Sequence, residues 1–256
     1  MKKILTLILA VALMLGALVS CTGTGDSDKT TPSTSSDAVT TGSADVTTEA
    51  PSDTDNSAAA EALRTSFLAK ANEVTVNDDS VTFTDASGKE SVTIKKNPKN
   101  VVNLYASFTT LWYEAGGKVA GLIGGSSSVE LYKEYIGRDI TADEGVTTVA
   151  TSSSGKKWAT ETIVAMKPDL IICSTAMSGY KTIEAPAAAA GIPVIAMSYN
   201  DFSDYLKWFK VFSNLTGHPE LWDEVALKAL NEVVDVLLAC PTENTPNVFC
   251  MFSSAD

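Results

Sequence analysis

The sequence predicts an α/β fold built on a doubly wound, mostly parallel sheet. Three observations carry that prediction. From Asn100 onward, short apolar runs of four to six residues alternate with helical patterns, the rhythm of βαβ units. Runs such as Leu170-Ile171-Ile172-Cys173 are apolar throughout, as buried strands between helical layers are. Finally, 45% of the 256 residues are hydrophobic, enough to build a real core.

Taken in order, the chain opens on Lys2 and Lys3, then an apolar run over 4–19, with no acid in the first twenty residues. That is a basic region and a hydrophobic region of secretory-signal length, too short for a permanent membrane span. The run ends Leu18-Val19-Ser20-Cys21, which resembles the lipobox of bacterial lipoproteins. The resemblance implies a signal peptide over 1–20, cleavage before Cys21 and acylation of that cysteine, whose acyl chains would hold the protein on a membrane. Residues 22–57 contain 17 serines and threonines, and seven acids against one lysine. With no apolar periodicity, nothing offsets the entropy of ordering them, so 21–57 is expected to be a disordered tether. As a flexible coil it would span about 30 Å.

A helix is expected over 58–72. Val74-Thr75-Val76, Val81-Thr82-Phe83-Thr84 and Val92-Thr93-Ile94 alternate apolar and hydroxyl residues around a turn at 85–88, and predict a leading hairpin. A strand at 101–105 leads to a helix at 108–115 with Ser107 as its N-cap. A strand at 119–123 leads to a helix at 129–136. The helix 160–166 is stopped by Pro168, ahead of a strand at 170–173. The helix 181–190 closes at Gly191, ahead of a strand at 193–197. The helix 201–215 opens on an acid and ends near Gly217. Leu221, Val225, Ala229, Leu230, Val233, Val234, Leu237 and Leu238 then recur at three- and four-residue spacing behind Pro219, predicting a long amphipathic helix over 218–241. The apolar run 247–252 starts a further strand.

Composition narrows the chemistry. With 19 lysines and arginines against 31 acids, the formal charge is −12, a poor match for nucleic-acid phosphates. One histidine, His218, removes every metal site that needs two imidazoles. Placed at a helix start, it reads as a capping or surface residue. Beside Cys21, the cysteines 173, 240 and 250 show no CxxC spacing and are expected to be buried free thiols. The 121–125 stretch lacks the G-x-G-x-x-G order, and no G-x-S-x-G elbow occurs. No resident cofactor, no metal site and no catalytic residue is expected.

Ligands of open α/β sheets sit beyond the carboxyl ends of the strands. Four hydroxyl-, glycine- and aromatic-rich loops therefore stand out, at 105–109, 124–128, 174–179 and 198–201.

Several segments in order resemble the substrate-binding proteins of bacterial ABC importers for ferric siderophores, haem and cobalamin. They are 81–90 followed by Asn97-Pro98-Lys99-Asn100-Val101-Val102, then Glu161-Thr162-Ile163-Val164-Ala165-Met166-Lys167-Pro168-Asp169-Leu170-Ile171-Ile172, then Gly191-Ile192-Pro193-Val194-Ile195 and Leu215-Thr216-Gly217. The likeness covers 75–256. It implies two α/β lobes joined by one long helix, with the ligand between them. By that resemblance 58–217 is the N-terminal lobe with its leading hairpin, 218–241 the connecting helix, and 242–256 the first strand of a second lobe that this sequence lacks.

The resemblance makes Glu161 the first-lobe carboxylate that meets basic residues of the permease. An exposed acid there would steer encounter with a basic partner, and would equally suit the positive end of its own helix. Tyr105, Ser107, Ser126, Trp158 and Tyr199 are the expected ligand contacts. Lys157, beside Trp158, would pair with an anionic chelate or stand as a solvated loop lysine. Trp112, Trp208 and Trp222 are expected to pack within helices. The expected function is a lipid-anchored binding protein that captures an iron-siderophore or related metallo-organic ligand for a permease, without chemistry of its own. A surface adhesin would use the same anchor and tether, and an extracellular enzyme is the remaining class. A coloured ligand would separate these, since an adhesin acquires no visible spectrum.

Overall fold

The computed structural model describes residues 53–152 and 158–240. Within them the chain runs α1 (Asp53–Asn72), β1 (Thr75–Val76), β2 (Ser80–Phe83), β3 (Val92–Lys95), β4 (Val101–Asn103), α2 (Ala106–Glu114), β5 (Gly121–Ile123) and α3 (Ser126–Tyr135). A 3-10 turn (Ile140–Ala142) leads to β6 (Thr147–Ala150), α4 (Thr160–Ala165), β7 (Leu170–Ser174), α5 (Tyr180–Ala189), β8 (Val194–Met197) and α6 (Phe202–Thr216). A π-helical segment (Trp222–Leu227) continues into α7 (Lys228–Ala239).

The main sheet has five strands in the order β6-β5-β4-β7-β8, and every neighbouring pair is parallel. The chain winds outward from β4 through β5 to β6, then returns to the far side of β4 for β7 and β8. Successive strand residues point to opposite faces, and both faces are covered. Val101, Leu122, Leu170, Ile172, Ile195 and Met197 join a core with residues of α1, α2, α6 and α7. Val102, Leu104, Ile123, Val149, Ile171 and Cys173 join a second core with Ile163 of α4 and Ile183 and Ala187 of α5. The predicted doubly wound α/β class is therefore observed.

A second sheet, β1-β2-β3, is antiparallel. Its turn is fastened to the edge of the main sheet. The Ala86 N–H donates to the Ala196 carbonyl at 2.8 Å, and the Ala196 N–H donates to Asp85 Oδ2 at 2.9 Å. An edge strand otherwise presents unpaired backbone groups, and here the hairpin turn satisfies both of those of Ala196. Phe83 meets Trp208 edge-on at 5.7 Å between ring centroids, which ties the small sheet to α6.

Helix α6 is specified at both ends. The Asp201 carboxylate accepts the Asp204 N–H at its start, and Gly217 closes it at φ +84°. A Cβ at Gly217 would also come within 2.6 Å of Asn97 Oδ1, so this position needs glycine twice over.

Several expectations are corrected. Helix α1 begins at Asp53, inside the stretch read as tether; the alanine-rich run 58–60 propagates a helix cheaply in both directions. Helix α2 starts at Ala106, so Ser107 lies inside its first turn and Tyr105, without a side-chain cap bond, is the N-cap residue. The 218–241 helix is not uniform, since its first turns are π-helical. Strand β6 went unread, although Val146-Thr147-Thr148-Val149 is rich in β-branched residues; an edge strand with two exposed threonines lacks a continuous apolar run. Cys173 is buried as expected, but Cys240 is exposed just past the end of α7. The readings for Cys21, Lys157, Cys250 and the strand at 247–252 lie outside the described residues, as does most of the tether.

Candidate functional site

The sheet reverses direction between β4 and β7, and a crevice at such a reversal opens at the carboxyl ends of the strands. A hollow of about 620 Å³ lies there, within the size range of small-molecule sites. Tyr105 enters it from the end of β4, Ser174 and Ala176 from the end of β7, and Ser198, Tyr199 and Asn200 from the end of β8. Helix α2 supplies Ser107, Phe108, Thr110, Leu111, Tyr113 and Glu114, and α3 supplies Leu131, Tyr135 and Ile136. Tyr205 of α6 completes the wall.

Local bonds set the shape of the mouth. The Tyr105 N–H donates to Asn103 Oδ1 at 3.2 Å, turning the chain out of β4, and the Tyr105 ring leans on Phe108 at 4.7 Å. The Ala176 N–H donates to Ser174 Oγ at 3.3 Å. Asn200 Nδ2 donates to Ser198 Oγ at 2.9 Å, and the Asn200 N–H to Asp204 Oδ2 at 2.8 Å. Trp208 Nε1 donates to the Ser198 carbonyl at 2.8 Å, so the loop carrying Tyr199 is pinned on both sides of that residue. Tyr199 and Tyr135 themselves remain 40% and 47% exposed.

The hollow is phenolic and carries one formal charge among its described lining residues, Glu114. Water reaches Glu114, yet the surrounding walls disfavour its ionised form and push its carboxyl up to about 7. Desolvation also pushes the Tyr199 phenol up to about 12, helped by the acids Asp204, Asp201 and Glu114. Tyr205 and Tyr113 are raised as well, chiefly by burial. The phenols of Tyr113, Tyr199 and Tyr205 are thus neutral hydrogen-bond donors at physiological pH. Behind Tyr199, Lys70 Nζ bridges Asp201 at 3.0 Å and Asp204 at 2.7 Å. Burial works against it, but that ammonium and the Asp204 and Ser203 backbone N–H groups hold the Asp201 carboxyl below the usual range. No cluster of three or more His, Cys, Asp or Glu suited to a metal ion occurs among the described residues.

Of the residues expected from sequence, Tyr105, Ser107 and Tyr199 line the hollow. Ser126 does not: it is exposed at the start of α3, beyond the end of β5. Trp158 is 8% exposed and belongs to the second core, with Nε1 donating to the Ser152 carbonyl at 3.0 Å. Its apolar body packs with that core rather than with the hollow, which corrects the reading of a ligand-facing indole. Glu161 is exposed in the first turn of α4. Trp112 and Trp208 are buried, while Trp222 is half-buried beneath Lys210 Nζ at 5.9 Å.

Glu114, Tyr113, Tyr135 and Tyr205 were missed. Tyr205 and Tyr113 carry no sequence signal beyond helix periodicity. Glu114 does, because an acid in the last turn of a helix opposes the helix dipole, a misplacement that hints at another purpose.

No known family profile matches the chain, and no curated protein matches it. Among solved structures, the fold matches a TroA-like periplasmic binding protein, FepB, from Veillonella parvula, with TM-score 0.50 and 24% identity, covering 64% of this chain and 50% of that one. The petrobactin-binding protein YclQ from Bacillus subtilis follows at TM-score 0.45 and 19% identity, covering 59% and 50%. SirA from Staphylococcus aureus, complexed with staphyloferrin B, matches at 0.42 and 20%, covering 57% and 46%. The chain spans about half the length of the structures it matches. It shares the α/β fold of periplasmic binding proteins over that portion. No helix among the described residues is long and apolar enough to cross a membrane.

Proposed function

We propose that this chain is the ligand-capturing N-terminal lobe of a substrate-binding protein that delivers an iron-siderophore or related metallo-organic ligand to an ABC permease. The observation that carries it is the tyrosine- and serine-lined hollow at the sheet's reversal. Flat aromatic faces pack on the organic shell of a chelate, and phenol and serine hydroxyls bond to its oxygens. The site holds and releases its ligand without bond-making, so the protein is a binder and no enzyme. Cys21, acylated, anchors it outside the membrane, and Glu161 presents a carboxylate to basic residues of the permease. Ser126 remains a ligand contact only if the ligand reaches beyond the hollow, and Lys157 is retained as a contact for an anionic group of the ligand.

Equilibrium titration of the full chain with a ferric trihydroxamate, a ferric tris-catecholate, haem and cobalamin tests this. The expected result is saturable binding of one of them, weakened about tenfold in Tyr199→Ala, the loss of one well-placed aromatic contact. A folded protein that binds none, or whose binding ignores Tyr199→Ala, defeats the assignment.

A further inference from the structure

We infer that the hollow selects neutral or cationic ligands and turns away polyanionic ones, with Glu114 as the residue that sets this preference. The inference rests on the binding role proposed above and adds the charge class of the ligand.

The charge inventory around the cavity carries the argument. Once Glu114 is ionised, above about pH 7, it is the one charged group on the described walls. The next charged groups behind the wall are also acidic in sum: Asp201 and Asp204 share the ammonium of Lys70, and the second ammonium nearby, Lys207, is shared by Asp204 with Glu73 and Asp85. Arg138, whose charge acts on Tyr113, is ion-paired with Asp143. Tyr105, Tyr113, Tyr135, Tyr199 and Tyr205 line the same space from five places, the ends of β4 and β8 and helices α2, α3 and α6, and a phenol ring has a negative π-face that favours a cation over it. A concave, low-dielectric wall strengthens each of these effects relative to bulk solvent. A ligand with several carboxylates or catecholates would meet no described cation and one carboxylate. A ligand carrying a free ammonium would meet one carboxylate among aromatic side chains.

Chelates of matched iron chemistry but different charge supply the test. At about pH 8.5, where the Glu114 carboxyl is ionised, the full chain is titrated with a cationic ferric trihydroxamate bearing a free ammonium, a neutral cyclic ferric trihydroxamate and a ferric trihydroxamate bearing free carboxylates. The expected order of affinity is cationic, then neutral, then anionic. The cation-to-anion ratio should fall about fivefold in Glu114→Gln, the size of one partly solvated ion pair. It should invert in Glu114→Lys, with circular dichroism checking that both variants fold. Added salt should compress the ratio in the wild type. Anionic binding equal to or tighter than cationic, still weakened by Tyr199→Ala, overturns the charge preference while the binding role stands. No binding of any of the three chelates by the folded chain overturns the preference together with the role.

Discussion

The contact between the hairpin turn and the sheet edge permits a quantitative test. Asp85 is nearly buried, and its carboxylate accepts three bonds: from the Ser87 N–H at 2.9 Å, from Ser87 Oγ at 2.5 Å and from the Ala196 N–H at 2.9 Å. In Asp85→Ala the Ser87 groups can turn to water, because the turn is partly open. The Ala196 N–H cannot, since Ala196 is only 1% exposed. An orphaned buried donor costs about 1–3 kcal/mol, and the charge-assisted bonds within the turn add about 1 kcal/mol. The expected loss is therefore about 2–4 kcal/mol in urea-induced unfolding followed by circular dichroism. Asp85→Asn retains one acceptor oxygen and should lose about half as much. If Asp85→Ala unfolds within about 0.5 kcal/mol of wild type, the turn does not fasten the edge strand and the reasoning fails.

Three further outcomes are expected. The Glu114 carboxyl titrates near 4.5 in the unfolded chain and is pushed up to about 7 in the folded one, so the folded state binds the extra proton. Its stabilising contribution is complete below about pH 4.5 and disappears as pH rises through about 7; Glu114→Gln should show a shallower decline in thermal midpoint across that window, and parallel curves would refute it. Trp158→Ala removes a buried indole from the second core and should cost about 3–5 kcal/mol, without weakening ligand binding by the folded fraction. Glu161→Lys should leave ligand affinity in vitro intact while slowing ligand uptake by cells that carry the permease, and unchanged uptake would dismiss the docking role.

Elements with a continuous apolar run or a strong terminal signal were readable from sequence. Leu170-Ile171-Ile172-Cys173 is buried at every position, and α6 has both its Asp201 cap and its Gly217 stop where the residues placed them. Strand β6 escaped because its edge position leaves Thr147 and Thr148 exposed, which blurs the apolar signal that marks inner strands. The hollow was legible in outline, because the carboxyl ends of β4, β7 and β8 follow from strand order alone. Its helical wall was not, because Glu114, Tyr135 and Tyr205 reach it only through the packing of α2, α3 and α6. Trp158 illustrates the opposite error. An aromatic beside a polar loop looks like a ligand platform until its N–H is found occupied by a backbone carbonyl.

The central seam of the main sheet joins Val101 to Leu170, two residues separated by about seventy positions of chain. The β4–β5–β6 unit and the β7–β8 unit can each form from nearer neighbours, whereas the seam must wait for a long loop to close. Folding of the chain should therefore be limited by the meeting of two preformed halves. Weakening β4 or β7 would slow refolding, whereas weakening the outer strand β6 would chiefly hasten unfolding. The crevice opens along that same seam, so the hollow would be the last part of the molecule to exist.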